Sequence, residues 1–154
     1  VWDNVDLAVA VRHRGRGAPA GRRLRETIDA EITDVLERVR LLALAAKPAR
    51  DLAYGEQRQL ELALALAGRP RILLLDEPTA GMSPSETVAM LSLMQALPRD
   101  ITLLIVEHDM DVVFNLADTI TVLHLGEVLA EGSPTEIQRN ERVVEVYMGR
   151  QGAP

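Results

Sequence analysis

The stretch Ile72–Gly81, ILLLDEPTAG, runs four apolar residues straight into an aspartate, a glutamate and a proline. A short apolar run between Pro70 and Pro78 reads as a strand. In a parallel sheet flanked by helices, ligands bind beyond the carboxyl ends of the strands, so Asp76 and Glu77 stand where chemistry is expected. Two carboxylates at the end of a buried strand are costly unless a cation or hydrogen bonds offset their desolvation. A hard divalent ion such as Mg²⁺, carrying phosphate oxygens and water, offsets it. Taken alone, the decapeptide also fits a strand that ends at the surface with two solvated acids.

Outward from this stretch, apolar runs alternate with helical patterns: RILLLD (71–76), SPSETVAMLSLMQAL (83–97), ITLLIV (101–106), DMDVVFNLA (109–117) and TITVLHL (119–125). Strands apolar on both faces and separated by helices predict a parallel sheet covered on two sides. Ser83-Pro84-Ser85-Glu86 and Ser133-Pro134-Thr135-Glu136 both read as capping boxes with proline at the first helical position. Towards the N-terminus, Ile28, Ile32, Val35, Leu36, Val39 and Leu42 recur at spacings of three and four, which predicts one helix over Thr27–Leu44, stopped by Pro48. Arg12–Arg25, rich in Gly, Pro and Arg, reads as an exposed connection, with His13 inside it. The expected division is a helical region over 1–54, an α/β core region over 55–125, and a tail with a short strand and helices over 126–154.

Composition narrows the function classes. The chain has 154 residues, 47% of them hydrophobic and 26% charged, enough to bury a real core. A formal net charge of −6 argues against general nucleic-acid or anionic-membrane binding. With no cysteine there is neither a disulfide frame nor a thiolate metal site. No run approaches the ~18 apolar residues of a membrane span, and a soluble protein is expected.

Two further segments carry chemistry. Leu52-Ala53-Tyr54-Gly55-Glu56 leads into a helical pattern, and a glycine at the mouth of a helix lets backbone N–H groups approach an anion. His108 follows the apolar run ITLLIV, where an imidazole can donate to a phosphate or position a water. Each feature alone has a bland reading, a loop-to-helix junction or a surface histidine. His13 and His124 lack a second ligand at suitable spacing and read as structural. Trp2, Phe114 and Tyr147 read as packing residues, and Tyr54 as a packing residue or one at an interface.

Together, in order and spacing, these segments resemble the C-terminal part of an ATP-binding cassette (ABC) transporter ATPase. LAYGE (52–56) is similar to the family's signature motif, ILLLDEP to its Walker B strand with the following glutamate, AGMSP (80–84) to its D-loop, and His108 to its switch histidine. YGEQRQLELA, DEPTAGMSP, VEHDM and RNERVVEVYMG are similar to the subgroup that serves branched-chain amino acid importers. The resemblance implies an α/β, RecA-like P-loop core with a helical subdomain, ATP and Mg²⁺ as cofactors, Asp76 as the metal residue, Glu77 as general base and His108 as γ-phosphate contact. It implies that Leu52, Ala53, Tyr54, Gly55 and Glu56 close in trans over ATP held by a second ATP-binding subunit in a head-to-tail dimer, with Ser83 in the D-loop between the sites. The implied partners are that subunit and a membrane permease reached through the helical subdomain, on the cytoplasmic face of the cell membrane, with no nucleic acid.

The sequence departs from the family pattern at three places. Ala53 stands where serine is usual, and Ser83 where aspartate often stands. The phosphate-cradling pattern GxxxxGK(S/T) does not occur, because the only lysine among seventeen basic residues, Lys47, has no such glycines before it. The expectation is therefore a C-terminal portion of a longer ATPase, inactive alone. The alternatives are a non-enzymatic binding module or degenerate half-cassette, and a non-transport ABC ATPase of translation or chromosome maintenance.

Overall fold

The computed structural model describes residues 1–14 and 22–148. Residues 15–21, the middle of the expected arginine-rich connection, lie outside the described residues, as do residues 149–154. The chain divides into two compact units, 1–106 and 107–154. No helix among the described residues is long and apolar enough to cross a membrane.

In the first unit, α1 (Trp2–Arg14), α2 (Arg22–Arg38) and α3 (Tyr54–Ala67) pack on one another. The reason lies in helical spacing: Val5 and Val9 of α1, Ile28, Ile32, Val35 and Leu36 of α2, and Leu60, Ala63 and Leu66 of α3 are all buried. The expected connection over Arg12–Arg25 is corrected at both ends, since α1 runs through Arg14 and α2 starts at Arg22. Arg12, Arg22 and Arg25 at its ends are paired, which is what periodicity alone could not register. Arg25 meets Asp6 at 3.0 Å and Asp29 at 2.8 Å. Arg12 donates to the Ala67 carbonyl at 2.9 Å and pairs with Glu31, which His13 also meets at 3.0 Å.

The expected helix over Thr27–Leu44 is also corrected. It stops at Arg38, and Arg40 takes a left-handed φ of 60°. Leu41 N–H donates to Leu36 O at 2.8 Å and Arg40 N–H to Glu37 O at 3.0 Å, the paired bonds of a Schellman stop. Leu36 and Leu41, fully buried, supply the apolar contact of that stop. Leu42–Leu44 then forms a separate 3₁₀ turn, ahead of Pro48.

Next come β1 (Ile72–Asp76), α4 (Pro84–Gln95) and β2 (Thr102–Val106), with β1 and β2 parallel and Ile72 opposite Thr102 through to Asp76 opposite Val106. The alternating, two-residue period of a strand sends Leu73 into the core with Met90, Leu93 and Met94 of α4. Among the described residues, cover on both faces is not found. Ile72, Leu74, Leu104 and Val106 are 59–69% exposed, because the helices of this unit occupy only the other side of the strand pair.

In the second unit, α5 (Met110–Leu116) begins at Asp109, whose Oδ1 accepts from Asp111 N–H at 2.9 Å and Val112 N–H at 3.3 Å. β3 (Ile120–His124) does not extend the parallel sheet among the described residues. It pairs antiparallel with β4 (Glu127–Gly132) across a two-residue turn, Leu125-Gly126, both at positive φ as a tight hairpin requires. Ile120 and Val122 bury against Ile137 of α6 (Pro134–Gln138) and against Val143, with Phe114 packed beside them.

Candidate functional site

Asp76 closes β1 and Glu77 follows it, both exposed, so the desolvation penalty expected for a buried pair does not arise here. Glu77 has a φ of 44°, a backbone region that side chains other than glycine rarely adopt. Its N–H donates to Val106 O at 2.8 Å, which continues the β1–β2 ladder by one step and turns the chain sharply into Pro78. Ala80 N–H bonds Glu77 O at 3.1 Å and Met82 N–H bonds Thr79 O at 3.2 Å, so the loop is a tight, ordered turn. Thr79 is the buried polar residue of this turn.

Asp76 shares the open face of the sheet with Ile72 and Leu74. Among the described residues no group of three or more His, Asp or Glu side chains is placed to cage a metal. A single exposed carboxylate fits an ion that keeps its waters and takes phosphate oxygens, as Mg²⁺ does, and does not fit an all-protein cage.

Leu52–Glu56 forms the entry to α3, with Ala53 as N-cap. The methyl of Ala53 offers no acceptor, so only one half of a capping box forms: Glu56 Oε2 accepts from Ala53 N–H at 2.8 Å. Lys47 Nζ stands 3.3 Å from the same oxygen. These contacts, the Ala53 N–H first, hold the Glu56 carboxyl below its ordinary pKa. Lys47, which lacks the glycines of a phosphate loop, instead steadies the start of α3.

The turn after β1 and the start of α3 meet directly. Tyr54 donates its hydroxyl to Ala80 O at 2.9 Å and receives Arg58 Nε at 3.1 Å and Nη2 at 2.8 Å. Ser83 caps α4 with a complete capping box, accepting from Glu86 N–H while Glu86 Oε2 accepts the Ser83 N–H at 2.8 Å and hydroxyl at 2.6 Å. The other oxygen of Glu86 accepts from Gly55 N–H at 3.3 Å. Arg58 and Glu86 were not among the expected site residues. Arg58 was visible only as the residue one helical turn after Tyr54, and Glu86 only as the third residue of a cap.

His108 lies in the second unit, 72% exposed, between β2 and α5. Glu107 Oε2 accepts from the His108 N–H at 3.0 Å and stands 3.8 Å from its Nδ1. Within the first unit Tyr54 and Gly55 thus meet the turn and the helix that follow Asp76 and Glu77, with Ser83 as the cap of that helix, and His108 belongs to the second unit.

A parallel strand pair, a capped helix between its strands and a three-helix region in the same unit recur in ATP-binding cassettes of known structure. Among them, cbiO1 from Clostridium perfringens, part of the transporter complex cbiONQ, matches with a TM-score of 0.77 at 25% identity, covering 97% of this chain and 57% of that one. MJ1267, an ATP-binding cassette of an ABC transporter, matches with a TM-score of 0.74 at 25% identity, covering 94% and 61%.

The chain belongs to the ABC transporter family, whose model matches residues 1–80, just over half of the 154. A second model, the branched-chain amino acid ATP-binding cassette transporter, matches residues 127–153. The high-affinity branched-chain amino acid transport ATP-binding protein BraF of Pseudomonas aeruginosa is 44% identical over 116 residues, 74% of this chain and 46% of that protein. LivG of Salmonella typhimurium, with the same description, is 43% identical over 134 residues, 85% of this chain and 52% of that protein. The chain therefore spans about half the length of these two relatives.

Proposed function

We propose that the chain supplies one part of the ATP-hydrolysing subunit of an importer for branched-chain amino acids. The carrying observation is the exposed Asp76-Glu77 pair at the end of β1, with Glu77 held in a left-handed turn by its bond to Val106. The transport of branched-chain amino acids by BraF and LivG supports the substrate class. Asp76 would hold Mg²⁺, which supplies charge neutralisation to the phosphate oxygens when bound. Glu77 orients and deprotonates the attacking water, and His108 contacts the γ-phosphate. The Leu52–Glu56 segment presents its helix terminus in trans to ATP on a second subunit in a head-to-tail dimer, with Ser83 at the junction between sites. In this reading residues 1–54 form the permease-facing helical region, 55–125 the α/β region and 126–154 the tail, and the assembly works at the cytoplasmic face of the membrane.

The sequence holds no GxxxxGK(S/T), so the chain alone is expected to bind Mg-ATP weakly and not to hydrolyse it. Titration with labelled Mg-ATP checks this, and micromolar affinity for the 154 residues would overturn it. Co-expression with the part of a LivG-type relative that the match leaves uncovered tests the larger reading. ATPase activity is expected to return and to fall about 100-fold or more in Glu77→Gln, the loss of a general base. Return of activity that ignores Glu77→Gln, or no activity from the unmutated pair, sinks it and leaves a non-enzymatic module.

A further inference from the structure

Two side chains cross the gap between the first turn of α3 and the turn that follows β1, and they cross it in opposite directions. From α3, Tyr54 reaches out to donate to the Ala80 carbonyl at 2.9 Å. Its ring lies on Gly81, whose φ is +75° and where an added Cβ would stand 3.4 Å from the ring and the hydroxyl. Arg58 fixes the phenol from behind with two bonds to its oxygen, its Cζ 5.2 Å from the ring centroid, and Glu61 holds Arg58 in turn at 2.8 Å. From α4, Glu86 reaches back to the Gly55 N–H at 3.3 Å while its other oxygen stays on Ser83. Gly55 is required by this approach, because a Cβ there would lie 2.6 Å from Glu86 Oε1.

Neither arrangement is needed for helix capping. The capping box of α4 uses only Glu86 Oε2, as the parallel box at Ser133 and Glu136 does. At Ser133 the box is closed through Glu136 Oε2 alone among the described residues, so the Gly55 contact of Glu86 Oε1 is an addition to the cap. Tyr54, at the first position of α3, could remain solvated without cost to the helix.

We propose that Tyr54 and Glu86 are positioning residues, a two-point clasp that makes the Leu52–Glu56 segment and the Ala80–Ser83 turn move as one piece. Resting on the reading above, the clasp ties the backbone that faces phosphate to the loop that leaves Asp76 and Glu77, so a shift in either is carried to the other within one subunit. A single exposed hydrogen bond frays readily, but two that close the same gap hold each other's partners in place, and loss of one loosens the other.

Amide hydrogen exchange of the 154-residue chain by NMR tests this without nucleotide, so its outcome is independent of whether ATP is the ligand. Tyr54→Phe, which keeps the ring and removes the hydroxyl, is expected to speed exchange at Met82 and also at Gly55 by about fivefold, the loss of one hydrogen bond's worth of protection. Glu86→Gln is expected to speed Gly55 and also Met82. The double variant is expected to add little to either single one, the signature of a coupled pair. Ser133→Ala, which breaks the equivalent cap elsewhere, should move neither amide and controls for general loosening. Effects confined to the amide beside each substitution, or fully additive effects in the double variant, would overturn the clasp.

Discussion

Ala53 and Glu77 show how much rests on single backbone positions. At Ala53 the α3 cap lacks its hydroxyl, so its box keeps only the return bond from Glu56 to the Ala53 N–H. Ala53→Ser is expected to complete the box and to raise stability by about 1 kcal/mol, read as an upward shift of about 2–4 °C in the thermal midpoint by circular dichroism. An unchanged midpoint would mean that the Ser hydroxyl turns away from the helix. Glu77 illustrates the opposite case, a proposed site residue kept in a conformation that glycine would take more cheaply. Its φ of 44° is kept although Pro78 follows directly, with the Glu77 N–H bonded to Val106 O at 2.8 Å.

At the scale of elements, helix ends are the telling features. α2 stops with arginine at the left-handed position of its Schellman motif, a site that favours glycine. Arg40→Gly removes a left-handed penalty of about 1–2 kcal/mol, offset by about 0.5–1 kcal/mol of backbone entropy. Urea denaturation should show a net gain near 0.5–1 kcal/mol, even though the Arg40 bond to Ser92 at 3.0 Å is lost. The three capping glutamates carry an acid signature. Glu56, Glu86 and Glu136 all have pKa values below the ordinary 4.5, through bonds to Ala53, to Ser83 and to Ser133 respectively. Because the folded values lie below the unfolded ones, their stabilisation is complete above about pH 4.5 and is lost as pH falls through the lower folded values. Glu136→Gln should flatten the fall of the denaturation midpoint on acidification, and an unaltered slope would count against the cap as its cause.

For the molecule as a whole, the open face of the β1–β2 pair is an exposed apolar surface of the first unit. Ile72, Leu74, Leu104 and Val106 lie side by side there, and adjoining exposed apolar groups of this kind promote association. Leu74→Thr with Leu104→Thr keeps two strand-compatible residues, and is expected to leave unfolding free energy within about 0.5 kcal/mol of the parent while reducing self-association in light scattering. Undiminished scattering would place the sticky surface elsewhere.

Much of this was legible in the residues, and the limits of legibility are physical. The strands 72–76 and 102–106, their parallel pairing, the capping boxes at Ser83 and Ser133, and the family resemblance follow from patterns spanning a few neighbours. Such patterns are decided by alternation, proline geometry and short side-chain-to-backbone bonds, all local in the chain. The end of α2 at Arg40, the pairing of Arg12 and Arg25, the one-sided burial of β1 and β2, and the antiparallel partner of β3 were not legible. The stop of α2 depends on an arginine taking the left-handed position that glycine normally marks, and the others depend on which distant residue arrives, Glu31 beside Arg12 or α4 under only one face of the strands. The same holds at the candidate site. Sequence by itself determined that Asp76 and Glu77 end a strand and that LAYGE opens a helix, whereas only the tertiary structure decided that Tyr54 and Glu86 join the two, because the residues they bridge are 26 and 31 positions apart.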